Sequence, residues 1–154
     1  MYDDITRTWL RWVRSPRGGR TLRRWADDPA LDATAVDELL RYDAPVQLSR
    51  RITMEELAIG GRTIAPNTLV MTHLAAANRD PAKWGPTADQ VDVARADAGQ
   101  HVSFGSGIHF CLGAALARLE GQVAMSSIIR RFPDLEPAGP AVPNGRITLR
   151  GLDA

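Results

Sequence analysis

The single cysteine of this 154-residue chain lies in the stretch FGSGIHFCLG, Phe104 to Gly113, among three glycines, a histidine and two phenylalanines. The run that follows, LGAALARLEGQVAMSSIIRRF, gives a long helical pattern through Leu112, Leu116, Leu119, Val123 and Ile128, stopped before Pro133. Cys111 therefore stands where a glycine loop gives way to a helix, near unpaired N–H groups and the positive end of the helix dipole, a setting that favours the thiolate. A thiolate there can act as a nucleophile, a redox sensor or a metal ligand. A nucleophile needs a base, for which His109 is the nearest candidate, and a third group to orient that base, which the local sequence does not supply. The structural alternative is a small apolar residue filling space at a helix start.

The neighbours favour a ligand. Gly105, Gly107 and Gly113 remove side chains at three points around one sulfur, which suits backbone bending closely under a large flat molecule. Phe104 can pack beside that molecule and shield the sulfur. Haem iron held by a cysteine thiolate meets these needs: an anionic axial ligand, a loop pinned by glycines, and N–H donors that moderate the charge on sulfur.

Other elements must hold this loop. Thr34 reads as a helix cap with Asp37 three residues on, Val36, Leu39 and Leu40 form an apolar stripe, and Pro45 ends the helix. Glu38 and Arg41 share one face of it; by spacing alone, such pairs are surface ion pairs worth under about 1 kcal/mol. ELAIGGRTIAP predicts a hairpin turning at Gly60-Gly61, and NTLVMTHLAAA an apolar strand or a short buried helix. NRDPAKWGPTADQ lacks periodicity and predicts an irregular connector; GRITLRGL predicts a last strand. At the other end, Thr6 to Trp25 crowds arginine and tryptophan around a Pro-Arg-Gly-Gly break with no clean apolar face. It is either a basic arm for nucleic acid, an acidic lipid surface or an acidic partner, or a poorly ordered or partly helical terminus with solvated charges. The expected fold class is mainly α with a small antiparallel β-sheet (α+β).

Composition narrows the function classes. Nineteen basic against eighteen acidic residues, net +1, give no global case for nucleic acid. With 44% hydrophobic residues the chain can build one domain with a core. No apolar run is long enough to span a bilayer, and MYDDITRT lacks the order of a secretory signal, so the expected address is the cytoplasm. One cysteine forms no internal disulfide, and no CxxC pair or His/Cys cluster suggests structural zinc.

FGSGIHFCLG resembles the haem-binding signature of the cytochrome P-450 family, F-x-x-G-x-x-x-C-x-G, and FGSGIHFCLGAALARLE is similar to the bacterial members in particular. ELLR resembles the family's E-x-x-R helix, and PVQLSRR, AANRDP and QVDVAR follow in the family's order. The resemblance covers roughly Leu22 to Leu152, dividing the chain into 1–21, an Arg/Trp-rich segment without resemblance, and 22–154, the C-terminal haem-binding portion of a truncated cytochrome P-450 fold. It implies haem b (iron protoporphyrin IX) with Cys111 as the axial thiolate on iron, and Phe104, Gly105, Gly107 and Gly113 as the loop around it. Arg51 is the implied partner of one haem propionate, with Arg50 the alternative if the register slips, and His109 is the partner of a second. Glu38, Arg41 and Arg95 become a buried network behind the haem. The implied activity is a haem-thiolate monooxygenase that takes electrons from a ferredoxin- or flavoprotein-type donor and inserts oxygen into a small organic substrate.

Two departures stand beside the match. Val91 occupies the aromatic position of the family's F-D-x-x-R. The A-G-x-D/E-T helix that helps deliver protons to iron-bound oxygen has no counterpart, since Gly18-Gly19-Arg20-Thr21 has arginine where the acid belongs. The alternatives to the enzyme are thus a non-catalytic truncated remnant that binds haem weakly or not at all, and a haem-free interaction module using the Arg/Trp arm.

Overall fold

The structure, a computed structural model, describes residues 16–135, 145–146 and 148–149. Helix α1, Pro16–Asp27, opens on a proline, whose missing N–H costs nothing in a first turn. The Pro-Arg-Gly-Gly sequence expected to be a break is therefore a helix start. Within α1, Leu22 packs against the core and Trp25 is fully buried, its Nε1 donating to Asp32 Oδ1 at 2.8 Å. A partly helical segment with solvated charges is what the described part shows, with Arg20, Arg23 and Arg24 exposed. What that reading lacked is the burial of Trp25, and residues 1–15 lie outside the described residues. The boundary between 21 and 22 falls inside this helix.

A 3₁₀ turn, Pro29–Leu31, leads directly into α2, Asp32–Tyr42. Thr34 is not its cap. The helix starts three residues earlier, with Leu31 at the cap position, because the Asp32 N–H is already bonded to Pro29 O, and the Thr34 hydroxyl donates to Leu31 O at 3.1 Å inside the first turn. Asp37 is left free to face other elements. Strand β1, Leu48–Ile52, pairs antiparallel with β4, Leu69–His73, with Arg50 opposite Met71. Between them β2, Leu57–Ile59, and β3, Arg62–Ile64, form a separate hairpin. Its turn sits at Gly60 and Gly61, φ 57° and 74°, a conformation that side chains with a Cβ resist. NTLVMTHLAAA forms the expected strand, and β4 passes straight into a one-turn helix, α3, Leu74–Ala77, which is not the buried helix the sequence allowed, since none of its residues is buried. The connector holds α4, Pro81–Trp84, and 3₁₀ turns at Gly85–Thr87 and Ala98–Gln100.

Helix α5, Ala114–Arg131, packs across α2 and α1. Its buried face is made of Ala114, Ala117, Gly121, Met125, Ser126 and Ile129, whereas Leu112, Leu116, Leu119 and Val123 are exposed. The cause is the closeness of the crossing: a Cβ on Gly121 would stand 2.9 Å from Val36 Cγ1. Small residues face α2, and the leucines lie on the opposite stripe. Trp25, Val36, Leu39, Leu40, Val93, Ala117, Met125 and Ile129 belong to the core cluster, against which Val91 and Phe104 pack. Of the expected last strand, Leu149 bridges Val46 and Thr148 O accepts the Gln47 N–H at 3.0 Å; half of that run lies outside the described residues. Among the described residues no helix is long and apolar enough to cross a membrane.

Candidate functional site

The surface ion pair expected from spacing alone is fully buried. Arg41 Nε and Nη2 donate to the two Glu38 carboxylate oxygens at 2.6 and 2.9 Å. Nη1 donates to Asn78 O and Ala88 O at 2.7 and 2.8 Å, and Nη2 to Gln90 O at 2.9 Å. Glu38 also accepts the Asp92 N–H at 2.9 Å and Arg95 Nε at 3.1 Å, and Arg95 reaches Thr87 O at 3.0 Å. The reason is the connector itself: outside helices and sheets its carbonyls need donors, and a planar guanidinium supplies several at once.

A second network anchors the cysteine loop. Buried Asn78 accepts the Val102 N–H at 2.8 Å and donates to Ser103 Oγ at 2.8 Å; Ser103 Oγ donates to Leu40 O at 2.6 Å. His101 Nδ1 accepts the Ser103 N–H at 3.1 Å, and Nε2 lies 3.3 Å from Asp37 Oδ1, which also accepts Arg118 Nε at 2.7 Å. Burial by itself would raise the Asp37 pKa, but the bonds from His101 and Arg118 outweigh it and hold the carboxyl below its usual value. The loop then turns through Gly105 and Gly107, both left-handed at φ 76° and 66°, and a 3₁₀ turn, Gly107–His109. Phe104 O accepts the Cys111 N–H at 2.9 Å. Cys111 is a partly buried free thiol, and Gly113 precedes α5 without a capping side chain.

Cys111 opens on a cavity of about 400 Å³ shared with Phe104, Gly105, His109 and Arg51 and walled by Leu40, Pro45, Val46, Leu74, Ala117 and Leu149. Strand alternation separates the two arginines in space: Ser49 and Arg51 line the cavity and Arg50 does not. Arg51 folds back along β1, its Nη1 donating to Ser49 Oγ at 2.6 Å and Arg50 O at 2.7 Å. Gly107 and Gly113 shape the loop without lining the cavity, and Glu38, Arg41 and Arg95 likewise stand apart from its walls. Asp37, Asn78, His101, Ser103 and Arg118 were missed as site-building residues. Asn78 interrupting an apolar run was a usable signal; for Asp37, whose partners lie 64 and 81 positions away, local sequence held none.

The family model for Cytochrome P450 matches residues 23–144. The chain belongs to the cytochrome P450 family. It is 51% identical over 111 residues to vitamin D(3) 25-hydroxylase of Pseudonocardia autotrophica, covering 71% of this chain and 27% of that one. To cytochrome P450-SU2 of Streptomyces griseolus it is 48% identical over 131 residues, covering 84% of this chain and 31% of the relative. Among solved structures, the Bacillus subtilis bacillaene synthase P450 PksS superposes with a TM-score of 0.88 at 33% identity, over 97% of this chain and 39% of that one. The chain thus spans about 30% of the length of the curated P450 relatives it matches. The residues fit the haem-thiolate group that P450 membership implies. A soft sulfur ligand, an apolar wall, a glycine bend and a cationic side chain converge on one cavity.

Proposed function

We propose that residues 22–154 form the thiolate side of a haem-dependent monooxygenase that hydroxylates a small organic substrate, with electrons from a ferredoxin- or flavoprotein-type donor. The observation that carries this reading is the convergence of Cys111, Phe104 and Arg51 on one apolar cavity. When bound and reduced, haem b supplies the oxygen-activating chemistry. Cys111 would hold the iron as an anionic sulfur ligand. Arg51 would give up its bonds to Ser49 and the Arg50 carbonyl to pair with a propionate, and His109, at the exposed rim, would take the other. Phe104 would keep water from the sulfur, and Gly105 would let the loop backbone approach the ring. Glu38, Arg41 and Arg95 hold the connector in place behind them. The P450 relatives are bacterial, and we place this chain in the cytoplasm. Proton delivery and substrate recognition belong to segments corresponding to the remainder of the relatives' chains.

One observation favours a second reading, in which the chain alone holds haem without turnover or not at all: Leu112 is 102% exposed, and Leu116, Leu119 and Val123 are each more than half exposed beside the cavity's helix. The haem-free interaction reading has less support, because Trp25 of its arm is built into the core. The test is the carbon monoxide difference spectrum of the dithionite-reduced protein, produced with hemin supplied, beside Cys111→Ala. A strongly red-shifted Soret band that disappears in the variant is expected. Identical spectra from the two proteins would remove the thiolate assignment.

A further inference from the structure

Asp37, His101 and Arg118 come from α2, the connector and α5 and meet at one carboxylate oxygen, with Arg118 Nε at 2.7 Å and His101 Nε2 at 3.3 Å. The imidazole roles follow from its other bond. Nδ1 accepts the Ser103 N–H at 3.1 Å, so Nε2 carries the proton and donates it toward Asp37. The second carboxylate oxygen rests against Gly99, where a Cβ would stand 3.1 Å from Oδ2, so the connector passes at a point that has no side chain to displace it. Both partners of Asp37 then bear on one aromatic ring. The Arg118 guanidinium carbon is 4.9 Å from the Phe104 ring centroid, and the fully buried His101 ring is 5.5 Å away, tilted by 50°. None of the three lines the cavity; Phe104 does, and its carbonyl accepts the Cys111 N–H at 2.9 Å.

We propose that Asp37, His101 and Arg118 form a clamp that fixes the Phe104 ring and, through it, the Cys111 loop. Asp37 and Arg118 are positioning residues for the sulfur. Without Asp37, the partly exposed Arg118 side chain loses the partner that keeps it over the ring. Without Arg118, that side of the ring is uncovered and Phe104 can swing toward the cavity. The clamp is a property of the chain with or without haem; only its spectroscopic consequence rests on the haem-thiolate reading.

The test is backbone hydrogen exchange on the haem-free chain, followed at the Cys111 amide, bonded to Phe104 O, and the Ser103 amide, bonded to His101 Nδ1. In Asp37→Asn both amides should exchange about tenfold faster than in wild type, the scale of one partly exposed ion pair plus one cation–ring contact. Arg118→Gln should act on the Cys111 amide by a similar factor. The β1–β4 ladder amides are expected to keep their rates in each variant. Arg118→Lys keeps the charge but not the planar face and is expected to release the Cys111 amide while leaving Ser103 protected. Acceleration that is equal throughout the chain, or absent from the loop, overturns the clamp. With hemin supplied, the same variants should lose part of the red-shifted carbon monoxide band, with no further loss in a Phe104→Leu background. An absent wild-type band together with selective loop acceleration would overturn the haem reading and leave the clamp standing. A normal band with loop exchange unchanged in the variants would do the opposite.

Discussion

Arg41 has five guanidinium N–H groups, and each finds an acceptor between 2.6 and 2.9 Å: two Glu38 oxygens and the carbonyls of Asn78, Ala88 and Gln90. Lysine offers three donors from one point and cannot span this set. Arg41→Lys is therefore expected to destabilise the chain by about 2–6 kcal/mol, because it keeps the charge but leaves at least two buried acceptors without a donor at about 1–3 kcal/mol each. Urea unfolding at neutral pH reads this directly, and a midpoint close to that of wild type would refute it. The letters ELLR place Glu38 and Arg41 on one helix face in any fold. They do not say which face, and the same pair is worth under about 1 kcal/mol in water. Burial is what separates the two cases, and burial comes from a connector whose carbonyls lie 37 to 49 positions further along.

At the scale of elements, the crossing of α5 over α2 depends on Gly121. Its missing Cβ leaves room for Val36, a fully buried, β-branched side chain with little freedom to retreat. Gly121→Val is expected to cost about 1–3 kcal/mol through overpacking, despite the better helix propensity of its new side chain. Val36→Ala should recover part of that loss when combined with it, giving a coupling free energy of about 0.5–3 kcal/mol in a double-mutant cycle. Additive single and double variants would show that the two positions do not press on each other. The helix was legible in the apolar periodicity of the sequence, but its orientation was not. Two stripes compete on α5, one rich in leucine and one in small residues, and the leucine stripe carries the stronger hydrophobic signal. The small stripe faces inward because only it admits so near a neighbour. The β2–β3 hairpin was legible to the residue, since Gly60-Gly61 supplies the backbone geometry locally.

For the molecule as a whole, two carboxylates on α2 hold its neighbours. Asp32 accepts Trp25 Nε1 from α1 at 2.8 Å and Arg130 Nη2 from α5 at 2.6 Å, while Asp37 joins α5 through Arg118 and the connector through His101. In both, partial burial works to raise the pKa and is outweighed: by bonds from Arg130 and Trp25 at Asp32, and by bonds from His101 and Arg118 at Asp37. Both folded-state pKa values are therefore below their unfolded ones. The stability they contribute is complete above the unfolded carboxylate pKa of about 4 and is lost as pH falls through the lower folded values. Unfolding free energies measured from pH 6 down to pH 2.5 should thus fall away below about pH 4. In Asp32→Asn/Asp37→Asn, the curve should start lower at pH 6 and fall less steeply. An acid limb of unchanged slope in that double variant would assign the loss to other groups.

The sequence by itself determined the cysteine loop, the E-x-x-R helix, the hairpin and the family that joins them. Each of these depends on local chemistry: glycines where φ is positive, charges one helical turn apart, a thiol ahead of a helix. The tertiary structure decided which charges are buried, which stripe of α5 meets α2, that Arg51 rather than Arg50 faces the cavity, and that Asp37 serves the cysteine loop instead of capping its own helix. Those outcomes depend on distances between segments far apart in the chain, and packing fixes such distances only when the whole set of elements comes together.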